Sequence, residues 1–348
     1  MKDRVSLTDF LMYHKETHPI SFHMPGHKGR GTLYGIYGFG DFIKNVVGND
    51  ITEIPGADAL QQPRERIKDI MEAYAGLYGV KHTEILVNGS SAGLMASILG
   101  SVSRGGKLLM GRNSHRSVYG ALRLGGVDPV YIMPEIDDET GLQLGLDPNK
   151  IEAALIKDPD IKAVLVTSPN YYGVLSDIER IASVVHLHGR ILIVDQAHGA
   201  HLKFFDYLRS EDGLPHRAAE NCGADIVVDS THKTLLSFTG SAILNICTER
   251  PDVSRISELL RMLQTTSPSY LLMGSKLNDR TYRTTDAPAR TKDKRFYPLV
   301  EGGFAKIIRK GDSPQNYTWE VTIKDGTVSY FGGVDGTVDD NAVLKDGN

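Results

Sequence analysis

Residues 191–201 read Ile191-Leu192-Ile193-Val194-Asp195-Gln196-Ala197-His198-Gly199-Ala200-His201. Four branched apolar residues in succession, without polar alternation, describe a strand covered on both faces, as at the centre of a parallel sheet. Outward from this run the same unit recurs. Strands are expected at 84–87, 107–110, 129–133, 163–167, 191–195 and 225–229, with a helix at 64–79 before the first and helices between most of them, at 92–101, 117–124, 150–156 and 177–188. In the first helix Ile67, Ile70, Met71, Tyr74 and Leu77 recur near the helical period. Strands alternating with helices predict an α/β fold, a doubly wound, mostly parallel sheet sandwiched by helices. Such sheets place ligands at the carboxyl ends of their strands, so the chemistry is sought in the residues directly after each apolar run.

The chain has 348 residues, 41% of them hydrophobic. At roughly 150 residues per domain this predicts about two domains. Lys+Arg 39 against Asp+Glu 43 leaves a net charge of −4, which argues against a polyanion-binding surface and a nucleic-acid partner. The apolar runs are strand-sized and end in charges, and residues 1–16 scatter charges where a signal peptide needs an apolar core. No membrane association and no export by that route are expected. Cys222 and Cys247 are too few for a disulfide framework or a four-thiolate zinc site, and two reduced thiols in a cytoplasmic protein are expected. After Met273 the alternation stops, and a polar stretch leads into strands expected at 304–309, 317–323 and 327–331. The last two are joined by the hairpin signal Lys324-Asp325-Gly326.

Four segments following strands carry the chemistry. Asn88-Gly89-Ser90-Ser91-Ala92-Gly93 leads into a helix, where small residues, unpaired N–H groups and hydroxyls suit a phosphate; an ordinary helix cap has the same sequence. It is neither a P-loop nor a GxGxxG turn, so a dinucleotide site has no support. His115, within Asn113-Ser114-His115-Arg116-Ser117, opens the next helix and could lie flat on a ligand ring or merely cap the helix. Asp195 ends a buried strand, a costly place for an unpaired carboxylate. It either joins His198 and His201 as metal ligands or partners a cationic heterocycle. Lys233, in Ser230-Thr231-His232-Lys233-Thr234, sits just past another buried strand, where desolvation would turn it into a nucleophilic amine. Taken together these are the needs of pyridoxal 5′-phosphate: an anion site, a flat partner, an acid for the ring nitrogen and an imine-forming lysine.

These motifs, with Phe22-His23-Met24-Pro25-Gly26-His27-Lys28-Gly29, Asp50-Ile51-Thr52-Glu53, Pro55-Gly56-Ala57-Asp58 and Thr167-Ser168-Pro169-Asn170-Tyr171-Tyr172-Gly173, resemble the ornithine/lysine/arginine decarboxylases of fold-type-I pyridoxal-phosphate architecture over about residues 5–273. The resemblance implies Lys233 as the imine-forming lysine and Asp195 as the partner of the pyridine nitrogen. It puts His198 beside the cofactor and His115 on the ring, with Ser90, Ser91, Ala92, Ser230 and His232 around the phosphate. The 23–29 segment would lie near the entrance of the site, its residues without assigned roles. Gln196 stands where the family commonly has a glutamate. The implied division is an N-terminal segment at 1–60, a cofactor-binding domain at 61–273, and a linker with a short β-rich tail at 274–348. The tail is similar instead to β-rich segments of large bacterial toxin-complex and RHS-type proteins.

The expected function is decarboxylation of a basic amino acid, arginine, lysine or ornithine, to the corresponding amine of polyamine metabolism, without a metal. The family also implies a homodimer or higher homo-oligomer, because fold-type-I sites are built across a dimer interface. The alternatives are another fold-type-I reaction such as transamination, or a truncated or fused remnant that folds and holds cofactor without turnover. The last is motivated by the 75 residues that follow Met273 where the family has a further domain.

Overall fold

A computed structural model describes residues 6–17, 20–31, 39–211, 213–275, 294–296, 306–310, 318–322 and 327–331. The chain divides into two compact units, 1–281 and 282–348. In the first, seven strands form one sheet: β1 (His82–Leu86), β2 (Lys107–Gly111), β3 (Asp128–Ile132), β4 (Ile161–Thr167), β5 (Ile191–Asp195), β6 (Ile226–Asp229) and β7 (Ala242–Ile246). Their order is β1-β7-β6-β5-β4-β2-β3. All neighbours run parallel except β7, which is antiparallel to both β1 and β6. The sequence reading carried no strand at 242–246; it is a short apolar run whose pattern suits a strand or a buried helical turn.

Side chains alternate across the sheet, because successive residues of a strand point to opposite faces. Leu165, Ile193 and Val228 join Leu94, Val118 and Ile256 of the helices Gly89–Ser101, Arg116–Gly125 and Val253–Leu263 in one core layer. Val166, Val194 and Val227 join Ile151, Ile181 and Val185 of the helices Pro148–Lys157 and Ile178–Leu187 in the other. Strand β5 is thus buried from Leu192 to Asp195, which is why its sequence is apolar throughout. Each helix is punctuated locally. Asp147 caps Pro148–Lys157 through the Asn149 N–H, with Pro148 in the first turn, where a missing N–H costs nothing. Gly79 ends Arg66–Tyr78 at φ 63, a left-handed conformation that glycine alone adopts freely.

The expected helices match within a few residues, and further ones lie at Leu7–Glu16, Leu202–Glu211, Val253–Leu263 and Tyr270–Gly274. Among the described residues no helix is long and apolar enough to cross a membrane.

In the second unit β8 (Lys294–Phe296), β9 (Lys306–Lys310), β10 (Thr318–Thr322) and β11 (Val328–Phe331) form an antiparallel sheet in the order β11-β10-β9-β8. Trp319 pairs with Phe331 on one side and Arg309 on the other. The expected strands overlap β9, β10 and β11; β8 is additional. The hairpin signal 324–326 lies outside the described residues.

Candidate active site

The carboxyl ends of β4, β5 and β6 and the turns after them bring the sequence-selected residues to one edge of the sheet. Asp195, the last residue of β5, is 3% exposed, and its Oδ1 accepts the Ala197 N–H at 3.2 Å. Burial raises its pKa, opposed by that N–H and by the nearby charges of Lys233 and His115. Lys233 follows β6 on the short helix Thr231–Thr234, which Ser230 begins. Its Nζ lies 3.2 Å from His198 Nε2. Burial lowers the lysine pKa, and the Asp195 charge acts against that shift. His198 is pushed down to about 4 by burial first and then by the charges of Lys233 and His115. With His198 neutral near pH 7, its Nε2 can accept a proton of Lys233.

His115 begins the helix Arg116–Gly125, and its Nδ1 meets the Ser117 N–H at 3.3 Å and the Ser117 hydroxyl at 2.8 Å. These bonds hold the ring by its edge. Burial also lowers its pKa, with Asp195 opposing and Lys233 and Arg116 adding to the shift.

The anion-binding candidates meet across the sheet. The Ser230 hydroxyl donates to Ser90 Oγ at 2.8 Å, joining the turn after β6 to the first turn of Gly89–Ser101. That helix has no side-chain cap from Asn88, and Gly89 is fixed by its own N–H donating to the Gly240 carbonyl at 2.8 Å. The N–H groups of Ser90 and Ser91 lie in the first turn, where helix geometry supplies no acceptor, and Ala92 completes the turn. His232 is anchored by its backbone N–H and its ring Nδ1, both on the Ser241 carbonyl. The metal alternative does not form: among the described residues no three His, Cys, Asp or Glu side chains are grouped as a metal requires, Asp195, His198 and His201 included.

Pyridoxal phosphate can be tested against unmet hydrogen-bonding needs. Four buried side-chain polar atoms among the described residues lack a partner, and three of them, Thr167 Oγ1, His201 Nδ1 and Thr234 Oγ1, lie on segments that leave β4, β5 and β6 at this edge. Buried polar groups are nearly always paired. A desolvated amine, a buried acid, a hydroxyl-lined helix start and the orphaned Thr167 hydroxyl in register with that acid fit the group.

His198 makes folding pH-dependent. Its ordinary value is 6.5 and its folded value about 4, so between these the unfolded chain binds a proton that the folded protein does not. The stability contributed by neutral His198 is present above pH 6.5 and is lost as the pH falls toward 4. Urea denaturation of the protein without cofactor is expected to show stability declining across this window. His198→Asn should remove part of the slope, and an unaltered slope would count against a desolvated His198.

Sequence reasoning missed three features. Gly26, in the segment left without roles, donates its N–H to the His232 carbonyl at 2.7 Å. A Cβ there would overlap the Leu235 carbonyl oxygen and lie 2.9 Å from that of Lys233. The motif clamps the backbone that carries the lysine. Gly26→Ala is expected to cost about 1–3 kcal/mol through overpacking, read as a lower urea midpoint, and to weaken cofactor loading. The second is a buried network in which Gln196 bridges Glu220 and Asp229. Gln196 in a motif whose relatives carry glutamate was its only signal. The third is Thr167, whose place in a quoted motif at the end of an expected strand gave it no role, since register alone sets it beside Asp195.

The chain matches the family model described as Orn/Lys/Arg decarboxylase, major domain, over residues 5–292. The match runs past Met273, where the sequence motifs end. The chain is 35% identical over 267 residues to an arginine decarboxylase of Bacillus cereus, covering 76% of this chain and 56% of that protein. It is 36% identical over 266 residues to the arginine decarboxylase of Bacillus subtilis, covering 76% and 52%. Lysine decarboxylase A from Pseudomonas aeruginosa shares the fold, with a TM-score of 0.57 at 24% identity over 77% of this chain and 38% of that one. The chain spans about half the length of the curated relatives it matches.

Proposed function

The chain belongs to the Orn/Lys/Arg decarboxylase family, and on that premise we propose that it binds pyridoxal 5′-phosphate and releases the α-carboxylate of a basic amino acid as CO₂, yielding the amine. The observation that carries the reading is the juxtaposition of Lys233 and His198 at 3.2 Å beside the buried Asp195. Arginine is the first substrate to test, because the relatives at 35–36% identity are named arginine decarboxylases; lysine and ornithine follow.

When bound, the cofactor supplies a ring that takes up the electron pair left by decarboxylation. Lys233 anchors it: a desolvated amine is free of its proton more often than an exposed one, which is what a nucleophile requires. Asp195 holds a proton on the ring nitrogen, and its burial excludes the water that would weaken that pair. Ser90, Ser91, Ala92, Ser230 and His232 hold the phosphate. His115 lies on the ring face, fixed edge-on by Ser117. His198, neutral, accepts a hydrogen bond from Lys233 Nζ and so orients the amine.

A second copy of the chain is part of this reading. The helix Leu7–Glu16 has no buried residue and exposes Leu7, Phe10 and Leu11, which at i, i+3 and i+4 share one face of the helix, an apolar stripe that a homodimer would cover. Cys222 and Cys247 are free, and burial pushes the Cys222 thiol up to about 12, an inert thiol suited to the cytoplasm.

The test is to incubate the cofactor-loaded protein with arginine, lysine and ornithine, measuring CO₂ and keto acid. CO₂ with a stoichiometric amine supports the reading, and keto acid without CO₂ replaces it with transamination. A cofactor absorbance band with neither product identifies a binding domain without turnover.

A further inference from the structure

We propose that Thr167 donates its hydroxyl to the ring oxygen of bound pyridoxal phosphate and so completes the positioning that Asp195 and the phosphate turn begin. This rests on the cofactor reading above. Thr167 ends β4, and its Cα is the register partner of Asp195 across the parallel β4–β5 ladder. Leu165 and Ile193, two residues earlier in each strand, share one core layer. By the two-residue alternation Thr167 and Asp195 then point to the same face, on strands about 4.8 Å apart. The Thr167 Oγ1 is buried without a partner, a state that costs a hydroxyl more than a hydrogen bond is worth. No hydrogen bond joins it to its polar neighbours: the Ser168 hydroxyl accepts the Ser176 N–H, and Asp195 Oδ1 accepts the Ala197 N–H.

The choice of ring oxygen follows from covalent structure. In pyridoxal phosphate the phosphate-bearing carbon and the hydroxyl-bearing carbon lie on opposite sides of the axis from the ring nitrogen to the carbon that takes the lysine amine. Asp195 on β5 fixes the nitrogen end. The phosphate side is set by Ser230 and Ser90, and Ser230 follows β6, on one flank of β5. The hydroxyl-bearing edge therefore faces the other flank, which is β4. There Thr167 presents the unmet hydroxyl.

Thr167→Val removes the hydroxyl at constant shape, and Thr167→Ser retains it. A donor to the ring oxygen favours its deprotonated form, so its loss raises the pH at which the bound cofactor's absorbance band titrates. The other groups facing the cofactor, Asp195, Lys233, His115 and His198, are unchanged in both variants. The expected upward shift for valine is about one pH unit, with roughly tenfold weaker cofactor binding, while serine titrates as the parent. Without cofactor the order inverts: valine should melt about 2 °C above the parent, because an unpaired buried hydroxyl is gone. A merely structural threonine would lose stability in both states. Equal titration midpoints for valine and parent, both fully loaded, would overturn the proposal. A parent with no absorbance band, and no borohydride-stable cofactor on Lys233, would overturn the cofactor reading and this proposal with it.

Discussion

Lys233→Ala is expected to abolish borohydride fixation of the cofactor and to cut CO₂ release from the preferred amino acid by roughly four to six orders of magnitude, the loss usual for a covalent catalytic group. That corresponds to about 5–8 kcal/mol of barrier. The fold should survive. Among the described residues the Lys233 amine has one hydrogen-bonding neighbour, His198, and its charge is held in a site where burial opposes it, so its removal strips no support from the core. Circular dichroism and the urea midpoint are accordingly expected to match the parent. A second readout is independent of turnover. The Lys233 charge is, after burial, the next cause of the low His198 pKa, so an NMR titration of His198 should move up from about 4 in the alanine variant. Undiminished turnover, or an unmoved His198, would remove Lys233 from the role given to it.

Gln196→Glu is expected to be the most destabilising conservative change in the site. Gln196 is 1% exposed; its Nε2 donates to Glu220 Oε2 and Asp229 Oδ1, each at 3.0 Å, and its Oε1 accepts the Ala219 N–H at 2.8 Å. Asn245 Nδ2 donates to the other oxygens of the same two carboxyls, at 3.1 Å and 3.3 Å. Burial drives the Asp229 pKa far up, and the neighbouring Glu220 charge adds to it, so Asp229 holds its proton more firmly than an exposed aspartate. A glutamate at 196 replaces two donated bonds with a third carboxyl against two others. An uncompensated buried charge costs about 3–5 kcal/mol, a fall in melting temperature of about 5–10 °C.

The deficit has a sign in pH. The new carboxyl has a folded pKa above its unfolded value near 4.3, so the loss is absent below that value and grows as the pH rises toward the folded pKa. Asp229→Asn in the same chain restores a donor and takes one carboxyl out of the cluster, and the double variant should recover part of the loss as a coupling energy. A Gln196→Glu protein within about 0.5 kcal/mol of the parent at pH 8 would mean that the pair is solvated.

The glutamine makes clear what could be read from the chain alone. As a departure from the family motif it looked minor, since Asp195 was retained. The partners that give it meaning, Glu220, Asp229 and Asn245, arrive from a 3-10 turn and from β6 and β7. Strand β7 was itself missed. Gly26 was quoted in a motif without a role because its function is a close approach to a backbone more than 200 residues away.

Properties written over a few consecutive residues were determined by the sequence itself. Fully apolar runs marked the central strands, and the residues directly after them marked Ser90, His115, Asp195 and Lys233. These follow from local physics, since burial on both faces demands an unbroken apolar run and the chain must turn where it ends. Tertiary structure alone decided which flank of Asp195 carries an unpaired hydroxyl, which carboxyls Gln196 bridges, and which glycine holds the lysine's backbone. Each of these depends on the hydrogen-bonded register of strands distant in sequence. A shift of one residue would turn Thr167 to the opposite face without changing any local pattern that announced the strand.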